Sequence, residues 1–277
     1  MKKFAIIIAL LFVTASFAQH TNIVNQTGDV NSSVVTQLLS GLPLLGSDNF
    51  ATLDQAGSYN TSDIYQINNG SFGQGQFAQV DQFGWYNFSD VDQLNGQHTG
   101  IVYQQGNSNI ADIYQNGVLN YGEVTSVGNN NQGYIIEFAV GSTGWIKQFG
   151  NVNLATQDLG QDWGINVVNS IFTTLQNGSY NTAHQYLEGD LTGYMGGSEA
   201  VDNLGTIAQH GWYNFGQQTM MDGGMQDAVD FVAEGNTATL YQQGNSNTSY
   251  QLMRRNDNTS VVNQVGNNNT SFSFQNW

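Results

Sequence analysis

Polar and apolar positions in this chain keep a beat of eleven residues. From Gln104, steps of 11 reach Gln82, Gln93, Gln115, Ser126, Glu137 and Gln148. A second run in phase goes from Gln176 through Leu187, Ser198, Gln209, Met220, Phe231, Gln242, Met253 and Gln264 to Gln275. Gln26 with Gln37, and Gln55 with Gln66, form earlier pairs. Two residues before the reference stands an aliphatic side chain, as at Val24, Leu53, Val80, Val102, Ile113, Ile146, Ile207 and Leu240. Four before it stands a small one, as at Ala51, Ala78, Gly100, Ala111, Gly122 and Ala238. Between them fall Asp, Tyr, Thr, Trp and Lys. Alternation over a short segment predicts a strand of about five residues with one inner and one solvated face.

Turn signals come after each strand at fixed offsets. Two residues on stands Gly28, Gly57, Gly84, Gly106, Gly117, Gly150, Gly178, Gly211, Gly244 or Gly266. Five residues on stands Asn31, Asn60, Asn87, Asn109, Asn120, Asn153, Asn181, Asn214, Asn247 or Asn269. Glycine supplies the backbone angles of a tight turn. One strand and turn cannot bury its inner face, but two back to back can, as a coil of 22 residues. Exact repeats support this unit: YQQGNSN at 103–109 and 241–247, GSYNT at 57–61 and 178–182, and GWYNF at 84–88 and 211–215.

The expected fold is therefore all-β: a parallel two-sheet β-solenoid, cross-β and amyloid-like, of about ten strand-turn-strand coils. Buried amides are costly unless paired. In a stack of matching layers, each inward Gln or Asn pairs with its counterpart above and below. The beat slips near 38–48, 160–168, 188–198 and 221–231, where loop insertions are expected within a single repeat domain spanning 19–277.

Composition narrows the function. Residues 1–18 have the form of a signal peptide: Lys2 and Lys3, an apolar run over Phe4–Val13, and small residues at Ser16 and Ala18. Export is expected, and no later stretch is apolar enough to span a membrane as a helix. The formal net charge is −16, and after residue 18 the only basic residues are Lys147, Arg254 and Arg255. Such a surface repels nucleic acid. There is no cysteine, so disulfides play no part, and no cofactor motif stands out. His20, His98, His184 and His210 do not cluster in phase, which argues against an enzyme, and no metal-binding residue is singled out. Asp90 and Asp112, with Asp63, should stack on the outer face and repel one another, acting as solubilising charges or as a weak cation site.

The motif Q-x-G-x-x-N-x-[AS]-x-x-x-Q is best matched at Gln104, Gly106, Asn109, Ala111 and Gln115, and next at Gln82, Gly84, Asn87, Ser89 and Gln93. It resembles the curlin repeat, and the likeness covers most of 26–275. Curlins are the subunits of curli, the extracellular amyloid fibres of bacterial biofilms. The resemblance implies a secreted structural subunit exported through an outer-membrane pore. It also implies assembly with itself on a nucleator subunit, in a cell-surface fibre for adhesion and colonisation. Separately, a parallel stack has two open edges, from which head-to-tail addition of copies is expected. The length, the insertions, and Ser126, Glu137, Leu159 and Leu187 in place of ladder glutamines depart from the family pattern. Two other readings are a non-polymerising adhesin rod and the nucleator itself. An ice-binding array is not supported, because the outward row of Thr173, Thr206 and Thr239 breaks off in most coils.

Overall fold

A computed structural model describes residues 20–39, 48–68, 75–160, 165–188, 198–221, 232–254 and 256–276. The expected leader at 1–18 lies outside these residues. Across these described residues the chain winds through ten two-strand rungs. Rung 1 is β1 (Thr21–Thr27) and β2 (Ser32–Leu39), rung 2 is β3 (Phe50–Ser58) and β4 (Thr61–Asn68), and rung 3 is β5 (Phe77–Trp85) and β6 (Phe88–Asn95). Rung 4 is β7 (Thr99–Asn107) and β8 (Ile110–Val118), rung 5 is β9 (Tyr121–Asn129) and β10 (Gln132–Val140), and rung 6 is β11 (Thr143–Asn151) and β12 (Leu154–Leu159), with a short β13 (Ile165–Val168) after it. Rung 7 is β14 (Ile171–Ser179) and β15 (Thr182–Glu188) with β16 (Ser198–Val201), and rung 8 is β17 (Leu204–Trp212) and β18 (Phe215–Met221) with β19 (Val232–Glu234). Rung 9 is β20 (Thr237–Gln243) and β21 (Thr248–Arg254), and rung 10 is β22 (Thr259–Val265) and β23 (Thr270–Asn276).

The first strands of all rungs form one sheet in the order β1-β3-β5-β7-β9-β11-β14-β17-β20-β22, and the second strands form the other. Neighbours are parallel and in register, as in Gln82↔Gln104 and Gln93↔Gln115. This is the two-sheet parallel β-solenoid that the eleven-residue beat predicts. The strands are longer than the expected five residues, mostly seven to nine. The extra length comes from the turn glycines, which stay in the ladder: Gly84 pairs with Gly106 although both have φ near +117.

Inward positions alternate with outward ones, and the inner apolar side chains are fully buried: Leu53, Ile64, Val80, Val91, Val102, Ile113, Val124 and Ile135 stack into one core cluster. Burying each contributes about 1.5–3 kcal/mol. Small inner residues hold the sheets close. A Cβ on Gly100 would come 2.8 Å from Val91 Cγ1 on the facing sheet, and one on Gly122 would come 2.8 Å from Ile113 Cγ2.

The two connections of a rung behave differently. From the first strand to the second, the spacing between reference positions is always eleven, from Gln26–Gln37 to Gln264–Gln275. All variation falls on the return, so matching glutamines of successive rungs lie 29, 27, 22, 28 or 33 residues apart. The expected insertions fall in the chain between the second strand of one rung and the first of the next, and their described residues are not simply loops. Leu38 and Leu39 belong to β2, Ile165–Val168 is a strand, and Ser198 opens another. β13, β16 and β19 pair in parallel as a third short ladder, which β13 joins to the end of β10 through Ala139↔Val167 and Val140↔Val168. The rest of these intervals (40–47, 161–164, 189–197 and 222–231) lies outside the described residues.

Candidate functional site, the stacked amide files

The inner glutamines form files along the stack. In the first sheet, Gln26 Nε2 donates to Gln55 Oε1 at 2.6 Å, Gln55 to Gln82 at 2.7 Å, and Gln82 to Gln104 at 2.8 Å. The file resumes with Gln148, Gln176, Gln209, Gln242 and Gln264, linked at 2.8–3.0 Å. Ser126 stands in the gap and donates from Oγ to Gln148 Oε1. In the second sheet Gln37, Gln66, Gln93 and Gln115 do the same at 2.7–2.9 Å. In most of these amides the second N–H crosses to the facing sheet, as from Gln93 to Phe77 O and from Gln104 to Phe88 O, both at 2.9 Å. One carboxamide therefore ties rung to rung and sheet to sheet, which satisfies a group that is costly to bury unpaired.

The asparagines fall into two files, because successive turns lie on opposite edges. On the regular edge run Asn31, Asn60, Asn87, Asn109, Asn131, Asn153, Asn181, Asn214, Asn247 and Asn269. Asn109 is representative: its backbone N–H and its Nδ2 both donate to Asn87 Oδ1, and Nδ2 also reaches Gly128 O at 2.9 Å. The return edge carries Asn49, His98, Asn120, Ser142, Ser170, Asn203, Asn236 and Asn258. His98 donates from Nε2 to Leu94 O and accepts the Asn120 N–H at Nδ1, so the ring is neutral in this tautomer. Burial pushes its pKa down to about 4.

The turn glycines form a third kind of file. Gly28, Gly57, Gly84, Gly106, Gly150, Gly178, Gly211, Gly244 and Gly266 all have φ between 108° and 134°. A Cβ on Gly106 would lie 1.9 Å from the Gly128 carbonyl oxygen of the next rung. Two residues after each glycine the backbone is left-handed, with φ of 56–59° at Val30, Tyr59, Tyr86, Ser108, Val152, Tyr180 and Tyr213. Bulky residues adopt this region at a cost of about 1–3 kcal/mol. Stacking of Tyr59 on Tyr86 at 4.9 Å, and of Tyr180 on Tyr213 at 4.8 Å, offsets part of it.

One file was not visible from the eleven-residue beat. Between rungs 5 and 6 the second sheet exchanges its columns. The glutamine column continues as Glu137, Leu159, Leu187, Met220 and Met253, and returns to glutamine at Gln275. The aliphatic column of Ile113 and Ile135 becomes Gln157, Gln185, Gln218 and Gln251. These four link at 2.8–2.9 Å, and Gln157, Gln218 and Gln251 donate across to the carbonyls of Trp145, Thr206 and Thr239. The signal in the sequence is a glutamine two residues before each misplaced Leu or Met.

Glu137 sits at the exchange. It is fully buried, and its Oε2 accepts from Gln115 Nε2 at 2.8 Å, while Oε1 has no side-chain partner. Burial drives its pKa well above the ordinary carboxylate value, so the side chain takes the neutral, amide-like form. On the outer face Asp63, Asp90 and Asp112 stack as expected, with Asp92 beside them. Burial, then the charges of Asp92 and Asp63, push Asp90 up to about 6, and burial, then the charge of Asp90, does the same to Asp112. Lys147 pairs with Glu123 at 3.5 Å. Among the described residues no group of three or more His, Cys, Asp or Glu is placed to hold a metal ion. Nor, among them, is any helix long and apolar enough to cross a membrane.

Among the described residues the chain thus brings together an extended constellation of carboxamides paired along the axis of a parallel stack. No protein-family model matches the chain, and no curated protein does.

Proposed function

We propose that this protein is the secreted structural subunit of a curli-like extracellular fibre, which polymerises head to tail by adding rungs to a continuing stack. The observation that carries the reading is the in-register file. Every rung offers along the axis the same N–H and C=O groups that its neighbour needs, so the surface that joins rung to rung inside the chain is also one that can join chain to chain. Export through an outer-membrane pore, a nucleating subunit, and a role in biofilm matrix and adhesion belong to the same reading and rest on the curlin-like repeat.

Chain without residues 1–18, incubated at micromolar concentration, is expected to bind thioflavin and form fibres. Their diffraction should show reflections at about 4.8 Å along the axis and about 10 Å across it. Indefinite persistence as a soluble single molecule overturns the proposal. A second reading, an adhesin rod that does not polymerise, is favoured by the exposed Trp85, Tyr86, Trp212 and Tyr213 on the regular edge, and that same soluble molecule is its expected outcome.

A further inference from the structure

We propose that the ten rungs are a tandem duplicate of a five-rung unit, and that rung 1 of a second copy seats on rung 10 in the register that joins rung 6 to rung 5 within one chain. The inference rests on the fibre-subunit reading above and specifies its interface.

Counting in rungs rather than residues exposes the duplication. Along the regular edge, rung 1 reads G-D-V-N (Gly28–Asn31) and rung 6 reads G-N-V-N (Gly150–Asn153). Rungs 2 and 7 both read GSYNT, rungs 3 and 8 both read GWYNF, rungs 4 and 9 both read QQGNSN, and rungs 5 and 10 both read VGNNN. The match holds at all five positions. It is hidden in residue numbers because the return edge takes insertions of different lengths.

The internal junction supplies a template for the contact between copies. There a VGNNN rung, rung 5, is succeeded by a G-x-V-N rung, with Ser126↔Gln148, Gly128↔Gly150 and Asn129↔Asn151 in register. Rung 10, the duplicate of rung 5, should be succeeded by another G-x-V-N rung, and the chain holds one at rung 1. Transposed, Gln264 Nε2 donates to Gln26 Oε1 of the second copy, and Asn269 Oδ1 accepts the Asn31 N–H of the second copy.

The two outer edges carry matching gaps. For every glycine of the regular edge from Gly28 to Gly244, the space a Cβ would take is filled by the next rung's glycine carbonyl, 1.8–2.1 Å away. At Gly266 that space is open, and the nearest atom is Asn269 Nδ2 of its own rung at 3.5 Å. On the other sheet, Gln37 Oε1 is buried and has no hydrogen-bond partner, whereas the same atom in Gln66, Gln93 and Gln115 accepts from the preceding rung. Gln275 brings glutamine back to this column after the apolar side chains of rungs 6 to 9. One of its N–H groups meets Thr259 O at 2.5 Å, and the other is placed to donate to Gln37 Oε1 of the second copy.

Cysteine cross-linking of the full chain tests the register, since the protein has no cysteine of its own. Glu123 and Trp145 are aligned across rungs 5 and 6, and their counterparts are Val261 and Ile23, exposed by 70% and 45%. The double variant Val261→Cys with Ile23→Cys, assembled and oxidised, should run as a ladder of covalent oligomers. An equimolar mixture of the two single variants should give covalent dimers alone. Moving one partner two residues out of register, Val261→Cys with Asn25→Cys, should cut the yield about tenfold, because the thiols then sit about 6–7 Å further apart along the strand. If fibres form but the shifted pair links better than the aligned one, the junction is wrong and the fibre reading stands. If the wild-type chain forms no fibres, both fall. Should the first pair block assembly, Val265→Cys with Thr27→Cys, matching Val127↔Phe149, gives the same readout.

Discussion

A single inner glutamine has two N–H groups and one carbonyl, and this fold uses all three. Substituting it removes an axial link and a cross-sheet link together. Glycine at the bend is constrained differently, by left-handed φ and by contact with the next rung. Gly106→Ala should therefore lower stability by at least about 3 kcal/mol, read as a shift in denaturant midpoint, because strain at φ +116° and a carbonyl at 1.9 Å act at once. Glu137 gives a pH signature. Its folded pKa is raised, so the folded state holds the proton more tightly than the unfolded one. Its stabilising form is fully present below the unfolded value of 4.5 and is lost as pH rises towards the folded value. Glu137→Gln should make the chain more stable at pH 7–8, with little change at pH 4, in denaturation series at both pH values.

At the scale of the strand, alternation made the inner face of the first sheet readable except at a few positions, such as Phe172 and Thr174 of rung 7. Val80, Gln82 and Ala78 sit where their spacing predicts. The second sheet beyond rung 5 was readable only in outline. Exchanging the Gln and aliphatic columns keeps the count of polar and apolar side chains in each layer while moving them by two residues, so a test tied to one reference position sees an error instead of a new file. The third ladder of β13, β16 and β19 was hidden for another reason: its strands are three or four residues long, too short for alternation to register, and only β13 reaches the end of β10. The outer aspartates belong to this scale, since their effect depends on strands aligning them. With Asp90 and Asp112 both pushed up to about 6, each favours folding below its ordinary value of 3.8, and this contribution declines as pH rises through 6. Asp90→Asn with Asp112→Asn should raise stability at pH 7, shorten the lag before fibres appear, and flatten both quantities between pH 4 and 7. Thioflavin kinetics across that range, beside denaturation midpoints, would show it.

For the whole molecule, the separation of a constant edge from a variable one governs which changes the chain can tolerate. Insertions collect where the chain returns to the first sheet, and the opposite edge keeps its glycine, its left-handed residue and its asparagine in every rung. The direction of the amides adds a further property. In the glutamine files each Nε2 faces the later rung and each Oε1 the earlier one, from Gln26 to Gln264. The stack is a one-way arrow: at its tip the inner glutamines turn N–H groups outward while the regular-edge asparagines turn Oδ1 outward, and at its tail both are reversed. Two stacks meeting tip to tip would set glutamine N–H against N–H and asparagine oxygen against oxygen. In a fibre of the proposed kind the two termini would stay chemically unlike, and a filament's orientation would stay fixed as it grows.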